Sequence, residues 1–133
     1  MLGSVNKYPV TIKETNLDVY GHVNNATYLV FFEDARWDWI HRNGYGLHKI
    51  QETGLGPVIL EVTMRYMKEL RLRDEIVIQS WMTSYKKKIG VMHQQIMRGD
   101  EMCCTADFTF SLFDLKHRKL VLPTEEWLKG IGM

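Results

Sequence analysis

Residues 25–43 read NATYLVFFEDARWDWIHRN, and this stretch decides the fold because it predicts one long helix with a single apolar face. Its large apolar residues recur every three or four positions, which places their side chains on one side of a helix. These residues are Tyr28, Phe31, Phe32, Ala35 and Trp39. Asn24 or Asn25 is a good N-cap, and Gly44 fits the position just past the C-terminus. The rest of the chain must therefore supply a surface that covers this face.

Most of the remaining sequence predicts β-strands. Residues 7–15 alternate apolar and polar side chains, and the same period of two recurs from Val58 to about Val121. Turns are predicted at Arg71–Asp74, Lys86–Lys88 and Gly99–Asp100, where polar residues and glycine interrupt the alternation. The period places Val58, Leu60, Val62, Met64 and Tyr66 on one face, and likewise Met102, Cys104, Ala106, Phe108, Phe110 and Leu112.

One fold accommodates these elements. Residues 45–57 are predicted to be a connector with one short helical turn, and Thr124–Lys129 a short closing helix. Short connections between strands favour antiparallel neighbours, and a single apolar helix must pack on one face of a sheet. The sequence thus predicts an α+β class domain over residues 1–133, with a sheet wrapped around one helix. Such a sheet leaves edge strands free to pair with a second subunit.

Composition limits the classes of function. The 133 residues are 45% hydrophobic and carry a net charge of +1, so no general basic surface indicates a nucleic-acid partner. No apolar run reaches the length of a transmembrane helix, and the N-terminus lacks a signal-peptide pattern, so we expect a cytoplasmic protein without membrane insertion. The adjacent Cys103 and Cys104 and the scattered histidines show no metal-ligand spacing. We expect neither a metal nor a cofactor.

The loop before the helix, NLDVYGHVN at residues 16–24, holds several groups suited to acid–base chemistry or hydrogen bonding. A helix N-terminus presents unpaired N–H groups and a positive dipole end, which suit an oxygen that gains negative charge. Asp18 precedes the helix on a loop that Gly21 allows to bend sharply. A carboxylate facing such donors can attack a carbonyl or activate a water, as acyl transfer requires. The same residues could also serve only as a polar helix cap.

The run LDVYGHVNNATYL, continued by FFEDARWD, resembles the bacterial long-chain acyl-CoA thioesterases. More broadly, it is similar to the 4-hydroxybenzoyl-CoA thioesterase family of hot-dog folds. The combined pattern is specific and consists of Asp18, His22, Val23, Asn24, Asn25, Tyr28, Ala35 and Arg36. The resemblance is dense over residues 16–38, and the order of elements agrees over nearly the whole chain. It implies a five-stranded antiparallel sheet around the central helix, assembled into a homodimer or homotetramer.

The resemblance also implies an active site. The family's catalytic aspartate, a nucleophile or general base, corresponds to Asp18, and its oxyanion donor corresponds to the backbone N–H of Asn25. Four further residues of the same run are expected to line the substrate site, namely Gly21, Val23, Asn24 and Tyr28.

The chain departs from one related pattern. Plant acyl-carrier-protein thioesterases have an asparagine two residues after the aspartate and a histidine four residues after it, both implicated in catalysis. Here these positions hold Tyr20 and His22, so a mechanism that depends on the asparagine does not apply. His22 either shapes the turn or orients water or substrate.

Several other residues could have either a structural or a functional role. Glu33 and Arg36, three apart on the helix, predict a surface ion pair. Glu61 either pairs with Arg65 or approaches a site between subunits. Cys103 and Cys104 are expected to face opposite sides of a strand.

Lys86, Lys87 and Lys88 form the one compact basic run, and lysine suits phosphate binding as a point charge. In the benzoyl-CoA family a basic run at this turn contacts the nucleotide, so the resemblance implies that these lysines bind the phosphates of CoA. The alternative is a solvated turn.

The resemblance thus predicts hydrolysis of acyl-CoA thioesters, with medium- to long-chain fatty acyl groups and a place in fatty acid metabolism. One alternative is an acyl-thioester hydratase or dehydratase, but the hot-dog motifs Asp-x-Asn-Pro-x-His and His-Phe-Pro are both absent. A non-catalytic acyl-CoA-binding protein is the other alternative.

Overall fold

The computed structural model describes residues 1–133. Its strands are β1 (Leu2–Thr11), β2 (Leu55–Tyr66), β3 (Glu75–Lys86), β4 (Ile89–Arg98), β5 (Glu101–Asp114) and β6 (Lys119–Val121). Its helices are α1 (Asn25–Arg42), α2 (Leu47–Thr53) and α3 (Glu125–Gly130), with one turn of 3₁₀ helix at Glu14–Asn16. None of the helices has the length and apolar character needed to cross a membrane.

The strands form one antiparallel sheet in the order β1-β3-β4-β5-β2, and the three-residue β6 pairs with the end of β5. This is the predicted α+β architecture, with the short β6 added to five long strands. Hairpin turns join β3 to β4 and β4 to β5, whereas β2 is an edge strand that pairs only with β5. One twelve-residue edge of the sheet is therefore open.

Helix α1 lies across the inner face of the sheet, as its apolar stripe predicts. All five stripe residues are buried, and Phe32 and Ala35 are completely inaccessible to solvent. The Phe32 ring meets the Phe108 ring of β5 edge to face at 5.8 Å. The side chain of Asn24 caps the helix by accepting a hydrogen bond from the N–H of Ala26 at 2.9 Å. This packing fixes where the helix begins.

The helix packs toward β1 and β3 and covers the inner face of β2 only in part. Three large side chains of that face are between 40% and 49% exposed, namely Ile59, Val62 and Tyr66. Their neighbours on β5 are buried: Phe110 is the register partner of Ile59 and Phe108 that of Val62. A row of partly exposed apolar side chains therefore lies between α1 and the open edge of the sheet.

Two β-bulges correct the predicted faces. In β2 the register shifts between Ile59 and Glu61, so Leu60 is the extra residue. The inner face carries Pro57, Ile59, Val62, Met64 and Tyr66, rather than the predicted set with Val58 and Leu60. In β5 the register shifts so that Met97 pairs with Met102 and Ile96 with Cys104. Cys103 is the extra residue, and both cysteines are buried in the core instead of facing opposite sides. A bulge re-aims every side chain beyond it.

The first strand also differs from its prediction, since it spans Leu2–Thr11 rather than residues 7–15. Its pairing with β3 extends to Leu2, past an irregularity in the register that precedes Asn6. After Thr11 the chain leaves the sheet, and the side chain of Asn16 accepts a hydrogen bond from the N–H of Lys13 at 2.9 Å. Local capping thus ends the strand earlier than the alternation indicates.

The turn before β3 is held by Asp74. Its carboxylate accepts hydrogen bonds from the N–H of Arg71 at 2.9 Å and from Arg98 at 2.8 Å. Burial alone would raise the pKa of Asp74, but these two donors outweigh it and hold the pKa below its usual value. The ionised form of Asp74 therefore contributes to stability.

We expect Asp74→Asn to lower the free energy of unfolding at neutral pH by about 1 kcal/mol, because the charged hydrogen bonds are lost. A depressed carboxyl pKa contributes stability above the unfolded-state value and loses it in acid. The difference between wild type and variant should therefore shrink as the pH falls below about 4. Urea unfolding at several pH values measures this, with Asp100→Asn at an exposed turn as the control. A difference that persists in acid would contradict the assignment.

Candidate functional site

The loop between β1 and α1 is a closed turn. Leu17 and Val23 form an isolated antiparallel bridge, and the N–H of Asp18 donates to the carbonyl of His22 at 2.8 Å. The N–H of Val23 donates to the carbonyl of Leu70 at 2.9 Å, which ties the turn to the segment between β2 and β3. Gly21 has φ +79°, a conformation that favours glycine. The turn therefore has a defined shape.

The carboxylate of Asp18 is fixed by this turn. Its Oδ1 atom accepts hydrogen bonds from the N–H of Tyr20 at 2.8 Å and from the N–H of His22 at 3.2 Å. The Oδ2 atom makes no hydrogen bond within the protein. Asp18 therefore presents one anchored oxygen and one free oxygen, an arrangement suited to a nucleophile or a general base.

The start of α1 offers a free donor beside this carboxylate. The side chain of Asn24 accepts from the N–H of Ala26, and the carbonyl of Asn24 accepts from the N–H of Thr27 at 2.9 Å. The N–H of Asn25 has no acceptor within the protein. It lies at the positive end of an 18-residue helix, where an oxyanion is stabilised.

Two tyrosines form a wall of the site. The hydroxyl of Tyr66 donates to the carbonyl of Asn25 at 2.8 Å, and its ring meets the Tyr28 ring edge to face at 5.0 Å. Burial raises the pKa of Tyr28 to about 12 and also raises the pKa of Tyr66. Both phenols are therefore neutral at physiological pH, and Tyr66 can act as a hydrogen-bond donor that positions the start of α1.

His22 faces a carboxylate that the sequence did not single out. Its Nε2 atom lies 3.0 Å from Oε2 of Glu69, which Arg71 also contacts at 3.0 Å. The backbone of His22 bridges that of Arg71 as well. The imidazole is thus directed toward the segment after β2.

These groups surround a cleft of about 680 Å³, a volume typical of small-molecule sites. Its lining comprises Asp18, Val19, Tyr20, His22, Val23, Asn24, Asn25, Tyr28 and the run Tyr66–Glu69. All the predicted site residues from the loop and the helix line it, except Gly21, which shapes the turn. Sequence reasoning missed Tyr66–Glu69. The only feature of the sequence that indicated their place was Tyr66, the last residue of the predicted inner face of β2, which is expected near the start of the helix.

Glu61 lies elsewhere. It pairs with Thr109 on the outer face of the sheet and forms no ion pair with Arg65 within 4 Å. The predicted surface ion pair of Glu33 with Arg36 is also absent, because Arg36 turns inward and donates to Gln94 at 3.0 Å. No three His, Cys, Asp or Glu side chains converge as a metal site would need.

Lys86, Lys87 and Lys88 form the turn between β3 and β4, at the opposite end of the same protomer's sheet. Tyr66, at the end of β2 beside the cleft, pairs with Cys104 of β5. Cys104 pairs with Ile96 of β4, and Ile96 pairs with Ile78 of β3, so Tyr66 and Ile78 lie at the same height in the sheet. Eight residues of strand separate Ile78 from Lys86, a length of about 27 Å. Within one protomer the lysines do not border the cleft.

Comparison with known proteins places this architecture in a family. The family model described as the thioesterase-like superfamily matches residues 10–131. The chain therefore belongs to the thioesterase-like superfamily, which confirms the predicted hot-dog family and the enzyme class of thioester hydrolases.

Individual relatives agree with this membership. The long-chain acyl-CoA thioesterase FadM of Escherichia coli K12 is 33% identical over 112 residues, which cover 83% of this chain and 84% of FadM. The structure of YbaW, a probable thioesterase from E. coli, superposes with a TM-score of 0.85 at 27% identity, covering 96% of this chain and 99% of YbaW. SAV2348 of Staphylococcus aureus, solved in complex with CoA, has a TM-score of 0.89 at 18% identity, covering 98% and 84% of the two chains. At that identity the likeness shows the fold alone.

The shape of the turn predicts a specific defect for Gly21→Ala. A side chain at φ +79° strains the backbone by about 1 kcal/mol, although no other atom lies within 4 Å of the added Cβ. Relief of that strain would shift the N–H groups that hold Asp18. We expect a kcat about tenfold lower, measured by thiol release from an acyl-CoA.

Gly99→Ala is the matched control, because Gly99 has φ +62° and equally open surroundings at the turn between β4 and β5. It should lose similar stability in urea unfolding and keep the wild-type kcat. Equal kcat values for the two variants would contradict the role assigned to the turn.

Proposed function

We propose that this protein hydrolyses acyl-CoA thioesters in the cleft at the start of α1. The observation that carries the proposal is that one cleft is lined both by Asp18, which has a free carboxylate oxygen, and by Asn25, which has a free N–H. Membership of the thioesterase-like superfamily supports it, as do a relative named for long-chain acyl-CoA hydrolysis and a structural neighbour that binds CoA.

In the proposed mechanism the thioester carbonyl oxygen accepts a hydrogen bond from the Asn25 N–H. The positive end of α1 stabilises the negative charge that this oxygen gains as the carbonyl carbon is attacked. The hydrogen bonds to Oδ1 of Asp18 hold its carboxylate, and Oδ2 performs the reaction. His22, paired with Glu69, fastens the loop to the segment after β2.

Two routes are open to Asp18. As a general base, its Oδ2 takes a proton from water while the water oxygen bonds to the carbonyl carbon. The C–S bond then breaks, and the leaving sulfur takes the proton from Oδ2, which releases CoA as the thiol and leaves Asp18 ionised. As a nucleophile, its Oδ2 bonds to the carbonyl carbon, CoA leaves as the thiolate, and water then hydrolyses the mixed anhydride. Both routes yield a carboxylic acid and free CoA.

We expect Asp18→Asn to lower kcat on a long-chain acyl-CoA by about 10²-fold or more, because the amide keeps the Oδ1 acceptor but loses the basicity. KM should change little, since the cleft is otherwise intact. Glu69→Gln should cost less, because the Glu69 carboxylate is paired with His22 and Arg71. Glu61→Gln, on the outer face, should cost least.

Rates of thiol release measure these variants, with folding checked by circular dichroism. An Asp18→Asn variant within a few-fold of wild type, alongside an inactive Glu69→Gln or Glu61→Gln, would assign the reaction to another carboxylate.

The smallest active unit in this proposal is a homodimer joined through β2. A homotetramer would form from two such dimers through other surfaces. Edge strands of monomeric proteins are normally short or charged, because free backbone groups and apolar side chains promote association. The β2 strand is twelve residues long and exposes Ile59, Leu60 and Val62. Two copies joined along it would bury these side chains and form one continuous sheet.

This dimer would also bring the lysines to the site. A two-fold axis beside β2 makes the two strands antiparallel, so the far end of one sheet lies at the site end of the other. The partner's β3–β4 turn would then be three to four strands from β2, about 15–20 Å away. We propose that Lys86, Lys87 and Lys88 of one subunit bind the CoA phosphates in the cleft of the other.

Changing the three lysines together to alanine should raise KM more than it lowers kcat, because binding common to substrate and transition state is lost. Added salt should raise the wild-type KM through the same contacts. Lys68→Ala is the control, since Lys68 lines the cleft within its own protomer. A KM raised by Lys68→Ala alone would contradict the role of the turn.

Mixed dimers test whether the lysines act across the interface. In a dimer of one Asp18→Asn subunit and one triple-lysine variant, action across the interface leaves one site with both a wild-type Asp18 and wild-type lysines. In an equal mixture, random pairing should therefore restore a wild-type KM at about half of the sites that keep a wild-type Asp18. If the lysines acted within their own subunit, the mixture would keep the raised KM.

A further inference from the structure

A second cavity of about 100 Å³ lies beside the C-terminal half of α1, apart from the Asp18 cleft. Its wall is mostly apolar, with Trp37, Ile59, Phe110 and Trp127 among its lining residues. Two charged side chains of α1, Glu33 and Arg36, also border it. The volume corresponds to about three water molecules, enough for the end of an extended ligand.

Arg36 is a cationic side chain in the lining of a mostly apolar cavity, which is unusual. Its Nη1 atom donates to Oε1 of Gln94 at 3.0 Å, and its guanidinium stacks over the Phe108 ring at 4.3 Å. This is its only hydrogen bond, and no carboxylate lies within 4 Å of it. Burial lowers the pKa of Arg36 to about 10, so the side chain remains a cation at neutral pH. A guanidinium has five N–H donors, and most of these have no partner in the protein.

The guanidinium of Arg36 is held in place by Gln94 of β4. Gln94 is completely buried, and its Nε2 atom donates to the carbonyl of Phe32 at 3.1 Å and to Oγ of Ser80 at 2.9 Å. These two bonds direct the amide oxygen of Gln94 toward Arg36. The guanidinium is therefore held in one orientation, with donors left for an oxygen atom placed in the cavity.

Glu33 supplies an acceptor at the same cavity. A ligand hydroxyl between the two side chains can accept a hydrogen bond from Arg36 and donate one to Glu33, which satisfies both. A ligand carboxylate would be attracted by Arg36 but repelled by Glu33. A methyl group would leave the donors of Arg36 without a partner, which costs free energy in an apolar wall. The chemistry of the cavity thus favours a neutral oxygen group.

The cavity lies within reach of an acyl chain bound in the cleft. Asn25 and Arg36 are eleven residues apart on one helix, which is about 16 Å along its axis. An extended alkyl chain covers that distance with roughly a dozen carbon atoms. The exposed apolar side chains of Tyr66, Val62 and Ile59 follow the inner face of β2 from the cleft to the cavity.

We propose that this cavity receives the far end of the acyl chain, and that Arg36 and Glu33 select chains with a hydroxyl group about a dozen carbons from the thioester. The inference rests on the proposed acyl-CoA hydrolysis and names its substrate class as long-chain hydroxyacyl thioesters. Arg36 is thus a specificity-determining residue at a distance from the reacting atoms.

The test compares kcat/KM for acyl-CoAs with and without a terminal hydroxyl, at chain lengths of 8, 12 and 16 carbons. In wild type the hydroxyl should raise kcat/KM by about tenfold at 12 carbons and have less effect at 8 or 16. Arg36→Met should reduce this ratio to near one. Arg42→Met, which removes a guanidinium bound to Asp38 at 2.9 Å on the same helix, should leave the ratio unchanged.

Because Arg36 is packed against Phe108, its replacement can disturb folding, so Glu33→Gln at an exposed position provides a second variant. It should lower the hydroxyl preference several-fold without unfolding the protein. The proposal is overturned if active wild type shows no hydroxyl preference at any length. A preference that survives both Arg36→Met and Glu33→Gln overturns it as well, as does a stronger preference for a terminal carboxylate. Absence of hydrolysis for every acyl-CoA would instead refute the proposed function.

Discussion

The packing of α1 across the inner face of the sheet is the contact on which the rest of the structure depends. Phe32 and Ala35 are completely buried against it, and the turn before the helix is tied to the chain after β2 by the bond from Val23 to Leu70. Because the helix is held along its length, its N-terminus stays in one place. A stationary dipole and a stationary N–H group can stabilise a charge without reorganising as it develops.

The position of the helix also leaves apolar side chains of the sheet exposed. One helix is too narrow to cover a sheet of five long strands, and α1 lies toward β1 and β3. The inner face of β2 remains partly open, so the same exposed side chains, Ile59, Val62 and Tyr66, can border an acyl chain and meet a second subunit. The proposed acyl binding and the proposed pairing of subunits thus both depend on the difference in width between the sheet and the helix.

Local sequence patterns predicted the elements of this fold well. The stripe from Tyr28 to Trp39 is buried as its spacing indicates, and Asn24 caps the helix. Such features depend on neighbours three or four residues away, so the sequence contains all the information they need. The bulges at Leu60 and Cys103 were missed, because a bulge depends on how two distant strands pair.

The candidate site divides in the same way. The amino-acid sequence by itself determined the long helix, its capped start, and the loop that carries Asp18 and His22, because each of these depends on residues that are close neighbours in the chain. Only the tertiary structure decided that Tyr66 and Glu69 join this cleft, that Arg36 turns inward to Gln94, and that the lysine turn lies at the opposite end of the protomer. These relations join residues far apart in the chain, and the register of the sheet and the packing of the helix fix them.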